Sequence, residues 1–289
     1  MAAILLLGAN GQVAHYLREY LQLEHSVTCL TRNELDVSKS GFASEIAGYH
    51  PDLVINATAY TAVDKAESEL ELARTINANA PHQIALVCED LAIPFIHYST
   101  DYVFSGEADR PYNEDDETDP QSVYGQTKLE GELAVLSTAA QAYIFRTSWV
   151  YSRQGANFYK SMLRLAQERE QLGIVADQVG GPTYAGSIAF ATVEVIRELL
   201  NESAGTIPAG VYHMTCQGQT SWCDFAKAIF ELNDVQDIQV NPLTTSEYPT
   251  PAKRPAYSVL DNQKLHDLFN ISLPSWQDAL QLCVAEDVS

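Results

Sequence analysis

Tyr124 and Lys128, four residues apart in Tyr124-Gly125-Gln126-Thr127-Lys128, share one helix face about a turn from each other. A phenol titrates near pH ~10 in water, so it is a poor proton relay at neutral pH. A neighbouring ammonium favours the phenolate and draws the phenol toward the working range. Upstream, Ser99-Thr100-Asp101-Tyr102 adds a hydroxyl at Thr100 that can hold a substrate oxygen. Together these groups can give a carbonyl oxygen a proton while a hydride reaches its carbon. A Tyr and a Lys at helical spacing more often mean a half-buried ring and a solvated amine, so the surrounding elements decide.

Those elements begin with Ala3–Leu7, a continuous apolar run that reads as a strand buried on both faces. Gly8-Ala9-Asn10-Gly11-Gln12-Val13-Ala14 follows and opens a helical pattern through Tyr16, Leu17, Tyr20 and Leu21. Gly8 permits a tight turn, Gly11 lets backbone N–H groups approach a pyrophosphate, and Ala14 allows close helix–strand packing. Gly8, Asn10, Gly11, Gln12 and Val13 are therefore candidates for holding a dinucleotide; the alternative is an ordinary strand–helix turn. Ser26–Leu30 reads as the second strand and ends at Thr31-Arg32-Asn33, with no carboxylate to grip a ribose 2′-hydroxyl. Arg32 there favours a 2′-phosphate, hence NADP over NAD, unless it lies on a solvated loop. Asp36 and Val37 are placed to flank an adenine.

A third strand over residues 52–56 delivers Asn56-Ala57-Thr58-Ala59, small residues where the chain passes a ligand, with Tyr60 a further cofactor candidate just after them. Residues 63–80 are helical in pattern, with a break expected at Pro81 and another helix running to 90. A fourth strand over 95–98 carries Thr100, Asp101 and Tyr102 at its carboxyl end, the edge where ligands sit in an open parallel sheet. The helix with Tyr124 and Lys128 spans 121–136, and a strand over 143–146 leads to Trp149. Strands and helices thus alternate to about residue 150, which predicts an α/β, doubly wound (Rossmann-type) parallel sheet. Residues 1–150 are assigned to the dinucleotide-binding domain. Residues 151–289 are assigned mostly to a smaller C-terminal substrate-binding lobe, with some segments returning to the main sheet. Helices are expected over 157–170, 187–200 and from a Ser221 cap to 232, with a break at Gly180-Gly181-Pro182 and a strand over 210–214. The segment Tyr248-Pro249-Thr250-Pro251-Ala252-Lys253-Arg254-Pro255 is either a stiff loop that brings Lys253 and Arg254 over a diphosphate or a surface turn.

Composition sets the bounds. The 289 residues are 46% apolar and 19% charged, enough for a sizeable core. A net charge of −21 argues against a nucleic-acid binder and against an anionic membrane surface. Five cysteines without C-x-x-C spacing indicate neither a disulfide framework nor a zinc site, which fits a reducing cytoplasm. Residues 1–7 lack a basic leader and meet Gly8 at once, so they read as a strand and not a signal peptide. No apolar run reaches the ~20 residues of a membrane span.

The glycine turn, Thr100 and Tyr124-x-x-x-Lys128 resemble the extended short-chain dehydrogenase/reductases. Longer strings are similar to the branch of that family that reduces a dTDP-linked 4-keto sugar. They are Val63-Asp64-Lys65-Ala66-Glu67, His97 to Phe104, Phe145 to Tyr151, and Tyr248 to Pro255. The resemblance implies reduction of the C4 ketone of dTDP-4-dehydro-β-L-rhamnose to dTDP-β-L-rhamnose, the last step toward that sugar donor for polysaccharides. NADPH would be the hydride source, with NADH accepted by some members. It further implies Tyr124 as the acid toward the sugar O4, Lys128 on the nicotinamide ribose, and Thr100 on the C4 carbonyl. Asp101, Tyr102 and Trp149 would line the sugar pocket. Charge alone suggests Lys253 and Arg254 for the diphosphate.

Some members of the family dimerise through a magnesium ion held by carboxylates. This chain has His15-Tyr16 and Tyr184-Ala185-Gly186 at two of those places, so a hard cation finds little there. The expectation is no metal, and a monomer or a dimer built without magnesium. Two rival readings share the fold. A nucleotide-sugar epimerase or dehydratase would retain NAD⁺, and Arg32 argues against it. A non-catalytic regulatory subunit of the methionine adenosyltransferase type would keep the nucleotide site, and Thr100-Asp101-Tyr102 with the Pro-rich string argues against that.

Overall fold

The computed structural model describes residues 1–201 and 207–286. Six parallel strands form the main sheet: β1 (Ala3–Leu7), β2 (Ser26–Leu30), β3 (Leu53–Asn56), β4 (Phe95–Thr100), β5 (Ala142–Thr147) and β6 (Gly210–His213). Their order is β6-β5-β4-β3-β1-β2. Alternate residues of the apolar strands face opposite layers. Leu6, Ile55, Ile96 and Phe145 pack on one side with α1 (Gln12–Leu21), while Leu5, Val54, Phe95 and Ile144 pack on the other with α2 (Ala80–Leu91). The order reverses between β1 and β3, the switch point where ligands bind in such sheets. There Gly8 adopts φ +85°, and a Cβ on it would stand 2.9 Å from the Ala57 carbonyl. Only glycine suits both the φ and the approach.

The expected break at Pro81 does not occur. Leu70–Arg74, a π-helical turn over Thr75–Asn79, and α2 run on as one rod with Pro81 inside it. The wider turn accommodates the proline ring, which has no N–H to offer the carbonyl of Asn77 four residues back. That carbonyl instead faces Gly131 so closely that a Cβ there would lie 2.1 Å from it. Gly131 belongs to α3 (Val123–Leu136), which this contact seats against the rod.

Beyond β5 the chain builds small paired strands. Gln171–Val175 runs parallel to Gln239–Leu243, Val150–Tyr151 to Thr183–Tyr184, and Val179–Gly180 lies antiparallel to Thr220–Ser221. Two-residue strands carry no readable period, so the sequence shows a break at Gly180-Gly181 where the structure has a short pairing. Helix α4 (Ala185–Leu199) packs on α1 beneath the sheet, and α5 (Trp222–Leu232) begins at Ser221, whose Oγ accepts from Asp224 N at 3.0 Å. Near the end, α6 (Trp276–Ala285) is tied back to the core. The phenols of Tyr16 and Tyr184 donate to the two oxygens of Glu286 at 2.8 and 2.5 Å, and Arg153 Nη1 donates to the carbonyls of Val284 and Glu286. Among the described residues no three His, Cys, Asp or Glu side chains converge on a metal position. All five cysteines are free, and no described helix is long and apolar enough to cross a membrane.

Candidate active site

At the carboxyl end of β4 the backbone turns into a single 3₁₀ turn, Asp101–Val103. Thr100 Oγ1 accepts from Tyr102 N at 3.2 Å and donates to Asp101 Oδ1 at 2.9 Å. Asp101 is buried, and that burial raises its carboxyl pKa to about 6 against the opposing pull of the Ser258 and Thr100 hydroxyls. Helix α3 is fixed over this turn by its own cap and by a carboxylate from a distant segment. Ser122 caps it (Gly125 N to Oγ, 3.2 Å), and Glu67 Oε1 takes the Val123 N–H at 2.9 Å. A Cβ on Gly125 would stand 2.2 Å from the Tyr102 carbonyl, so the residue beside Tyr124 must be glycine for the helix to sit this low. Tyr124 thereby comes within reach of the Thr100 hydroxyl and lies edge-on to the Tyr102 ring, centroids 5.5 Å apart.

Lys128 is 2% exposed. Its Nζ donates to the Tyr98 carbonyl at 2.6 Å and lies 3.5 Å from His97 Nε2. Burial lowers its pKa to about 8, with Glu132 opposing the shift. Glu132 is itself held by a buried bidentate pair with Arg146, Nη2 to Oε2 at 2.7 Å. The expected lowering of the Tyr124 pKa does not hold here. Burial drives that phenol well above its ordinary value, the Thr100 hydroxyl opposes only in part, and the ammonium is committed to the Tyr98 carbonyl. His97 in turn accepts from Asn56 Nδ2 at 3.2 Å, and Asn56 Oδ1 accepts from Thr58 N and Oγ1. His97 is held neutral by burial and by Lys128.

The cofactor candidates line the switch point. Gly11 N donates to Gly8 O at 2.8 Å, closing the turn that carries Asn10 on the outside. Gln12 Oε1 accepts from Ser152 Oγ (2.9 Å) and Asn157 Nδ2 (2.7 Å), while Val13 is half-buried in α1. Ala57, Thr58, Ala59 and Tyr60 form the facing loop, pinned where Asn77 Oδ1 accepts from Tyr60 N at 2.8 Å. Asn77 Nδ2 also reaches Thr127 Oγ1 on α3, so one amide joins the 57–60 loop to the helix that carries Tyr124 and Lys128. At the tip of β2, Arg32 is 70% exposed and 3.5 Å from Asp36 Oδ2; Val37 is buried. Hydrogen bonds from Ser38 hold the Asp36 carboxyl below its usual range.

On the substrate side, Arg254 Nη1 donates to the Tyr102 hydroxyl (3.1 Å) and Nη2 to Asp64 Oδ2 (2.8 Å). Lys253 points elsewhere, to Gln121 Oε1 at 3.0 Å. Thr147 pairs with Thr100 across β4 and β5, and Trp149 follows two residues on with φ +46°. Its indole stacks on Trp222, centroids 3.5 Å apart and planes within 7°. A Cβ on Gly180 would penetrate the Trp149 ring at 2.5 Å, so Gly180 leaves the space the stack needs.

The model of the RmlD substrate binding domain matches residues 1–289. The chain belongs to that family. It is 45% identical to dTDP-4-dehydrorhamnose reductase of Burkholderia thailandensis over 99% of both chains. It is 43% identical to the same-named protein of Escherichia coli K12, covering 95% of this chain and 94% of that one. Among solved structures, dTDP-4-dehydrorhamnose reductase from Bacillus anthracis in complex with NADP superposes with a TM-score of 0.93 at 33% identity, covering 99% of each chain. The Clostridium acetobutylicum reductase gives 0.91 at 39% identity over 98% of each. Sequence reasoning missed Asn77, Glu67, Gly125 and Trp222 as site-building residues. Gly125 was legible as the glycine inside Tyr-Gly-x-x-Lys. Trp222 carries no sequence signal, because its partner is 73 residues away and set by tertiary packing alone.

Proposed function

We propose that this chain reduces the C4 ketone of dTDP-4-dehydro-β-L-rhamnose to dTDP-β-L-rhamnose with NADPH, as a cytoplasmic enzyme of dTDP-rhamnose biosynthesis. The observation that carries the reading is the joint placement of Thr100, Tyr124 and Lys128 at the sheet's carboxyl edge, beside the Gly8 turn at the switch point. The turn fits a dinucleotide: a left-handed glycine, a backbone without Cβ at the closest approach, and an exposed guanidinium at the tip of β2. NADPH, when bound, supplies the hydride.

The remaining work falls to the chain. Gly8, Asn10, Gly11, Gln12 and Val13 hold the pyrophosphate, Arg32 the 2′-phosphate, and Asp36 and Val37 the adenine. Ala57, Thr58, Ala59 and Tyr60 flank the cofactor, and Lys128 holds its nicotinamide ribose. Thr100 fixes the C4 carbonyl oxygen, and Tyr124 protonates it. A phenol pushed upward by burial holds its proton until negative charge develops on that oxygen, which suits it to an acid's role. Asp101, Tyr102 and Trp149 shape the sugar pocket, and Arg254 faces the diphosphate; Lys253, next to it in the chain, joins only by leaving Gln121. Positioning the ketone and donating this proton lower the barrier together, the proton transfer contributing roughly 10²–10⁴-fold. The protein is a monomer, or a dimer assembled without magnesium.

The test is NADPH consumption with freshly prepared dTDP-4-keto sugar, run against NADH. Oxidation of NADPH that requires the keto sugar is expected. A folded protein that binds NADPH and leaves it unoxidised overturns the reading.

A further inference from the structure

The string Val63-Asp64-Lys65-Ala66-Glu67 has no part in the chemistry above, yet its two outer carboxylates reach both halves of the site. Glu67 caps α3, as described. Asp64 acts across the molecule: its Oδ2 accepts from Arg254 Nη2 at 2.8 Å, and its Oδ1 takes the Ala252 N–H at 3.3 Å. A single side chain thus grips both the backbone and the guanidinium of a segment 188 and 190 residues away. We propose that Asp64 is a positioning residue that presents Arg254 to the substrate's diphosphate. The proposal rests on the reductase reading and deepens it.

Arg254 is well placed for this. Its two paired nitrogens donate one bond each, to Asp64 and to the Tyr102 hydroxyl, and a guanidinium has five N–H groups, so others remain to fork an anion. Its carbon lies 6.0 Å from the centre of the Tyr102 ring, and that ring lies against Tyr124. The anchored guanidinium and the acid therefore both neighbour one tyrosine, a layout that suits a sugar next to its diphosphate. The segment is seated by shape as well: a Cβ on Gly106, at φ +81°, would stand 2.4 Å from Pro255. In a chain of net charge −21 a dianionic ligand meets a repelling field, so a fixed local cation matters more than a mobile one. An unheld arginine must give up substantial rotamer freedom on binding, which Asp64 removes in advance.

Asp64 also carries the wrong charge for a diphosphate, so the sign of the effect is informative. If the carboxylate merely competed for Arg254, removing it would tighten binding. If it positions Arg254, removing it weakens binding. The probe is dTDP by calorimetry on the full chain, alongside steady-state kinetics. Asp64→Ala should raise the Kd of dTDP and the KM of the keto sugar about fivefold, as for a partly exposed ion pair. The kcat and the KM of NADPH should stay within about twofold. Asp64→Glu should recover part of the loss, and Asp64→Asn serves if the alanine variant does not fold. In an Arg254→Ala background, Asp64→Ala should change the Kd of dTDP no further. Unchanged or tighter dTDP binding in Asp64→Ala, or full additivity with Arg254→Ala, overturns the proposal. Wild-type protein that does not bind dTDP overturns the reductase reading as well, whereas normal wild-type binding with a silent Asp64 variant overturns the positioning role alone.

Discussion

At position 124 two forces pull on one proton. Spacing in the sequence places an ammonium on the same helix face and so predicts an acidified phenol. It cannot show that the ammonium will be anchored on the Tyr98 carbonyl, or that the ring will be walled in, and that burial raises the phenol instead. Replacing Tyr124 with Phe keeps the ring and deletes the proton, so turnover should fall by roughly 10²–10⁴-fold. NADPH affinity, measured by fluorescence titration, should persist; near-normal turnover would assign the acid to another group. Lys128 gives a pH signature. Burial lowers its pKa to about 8, so it is charged below that pH and neutral above. Affinity for NADPH should therefore decline as pH rises through about 8, and Lys128→Met should bind weakly with no such decline. The stability sign is opposite. A lysine with a depressed folded pKa disfavours folding while protonated, and that penalty lifts as pH climbs from about 8 toward the unfolded value near ~10.4.

Helix α3 shows how an element can be readable in extent and opaque in placement. Its Tyr and Lys were visible from spacing, and its N-terminus was expected within two residues of where Ser122 caps it. Its depth was not visible, because two glycines set it against partners distant in sequence, Gly125 under Tyr102 and Gly131 against Asn77. The same holds for the rod behind it: Pro81 looks like a stop, but a π turn just ahead absorbs it and turns Asn77 toward both the cofactor loop and α3. Gly125→Ala places a methyl 2.2 Å from a main-chain oxygen, which neither side can relieve by changing a rotamer. The helix must lift, at about 1–3 kcal/mol of stability read from denaturant midpoints. Because Tyr124 moves with it, kcat should drop more than tenfold even where the variant remains folded.

For the whole molecule, the alternating run to residue 150 made the parallel sheet legible. The sixth strand came from Gly210–His213, pairing with β5 across a long excursion. That pairing is set by the sheet's open edge and not by local pattern. At the far end of the chain, the Tyr16–Glu286–Tyr184 cluster closes α6 onto α1 and α4. Gel filtration with and without EDTA should give the same elution volume; a dimer dissolved by chelation would refute the metal-free assembly. The stacked pair above the sheet has an optical consequence. The chain has three tryptophans, and Trp149 and Trp222 lie face to face at 3.5 Å. Identical chromophores this close share their excitation, so the far-ultraviolet dichroism, where the indole absorbs most strongly, should carry a signed doublet from this pair. A sugar that parts or tilts the rings would register its arrival in that spectrum, without any label attached.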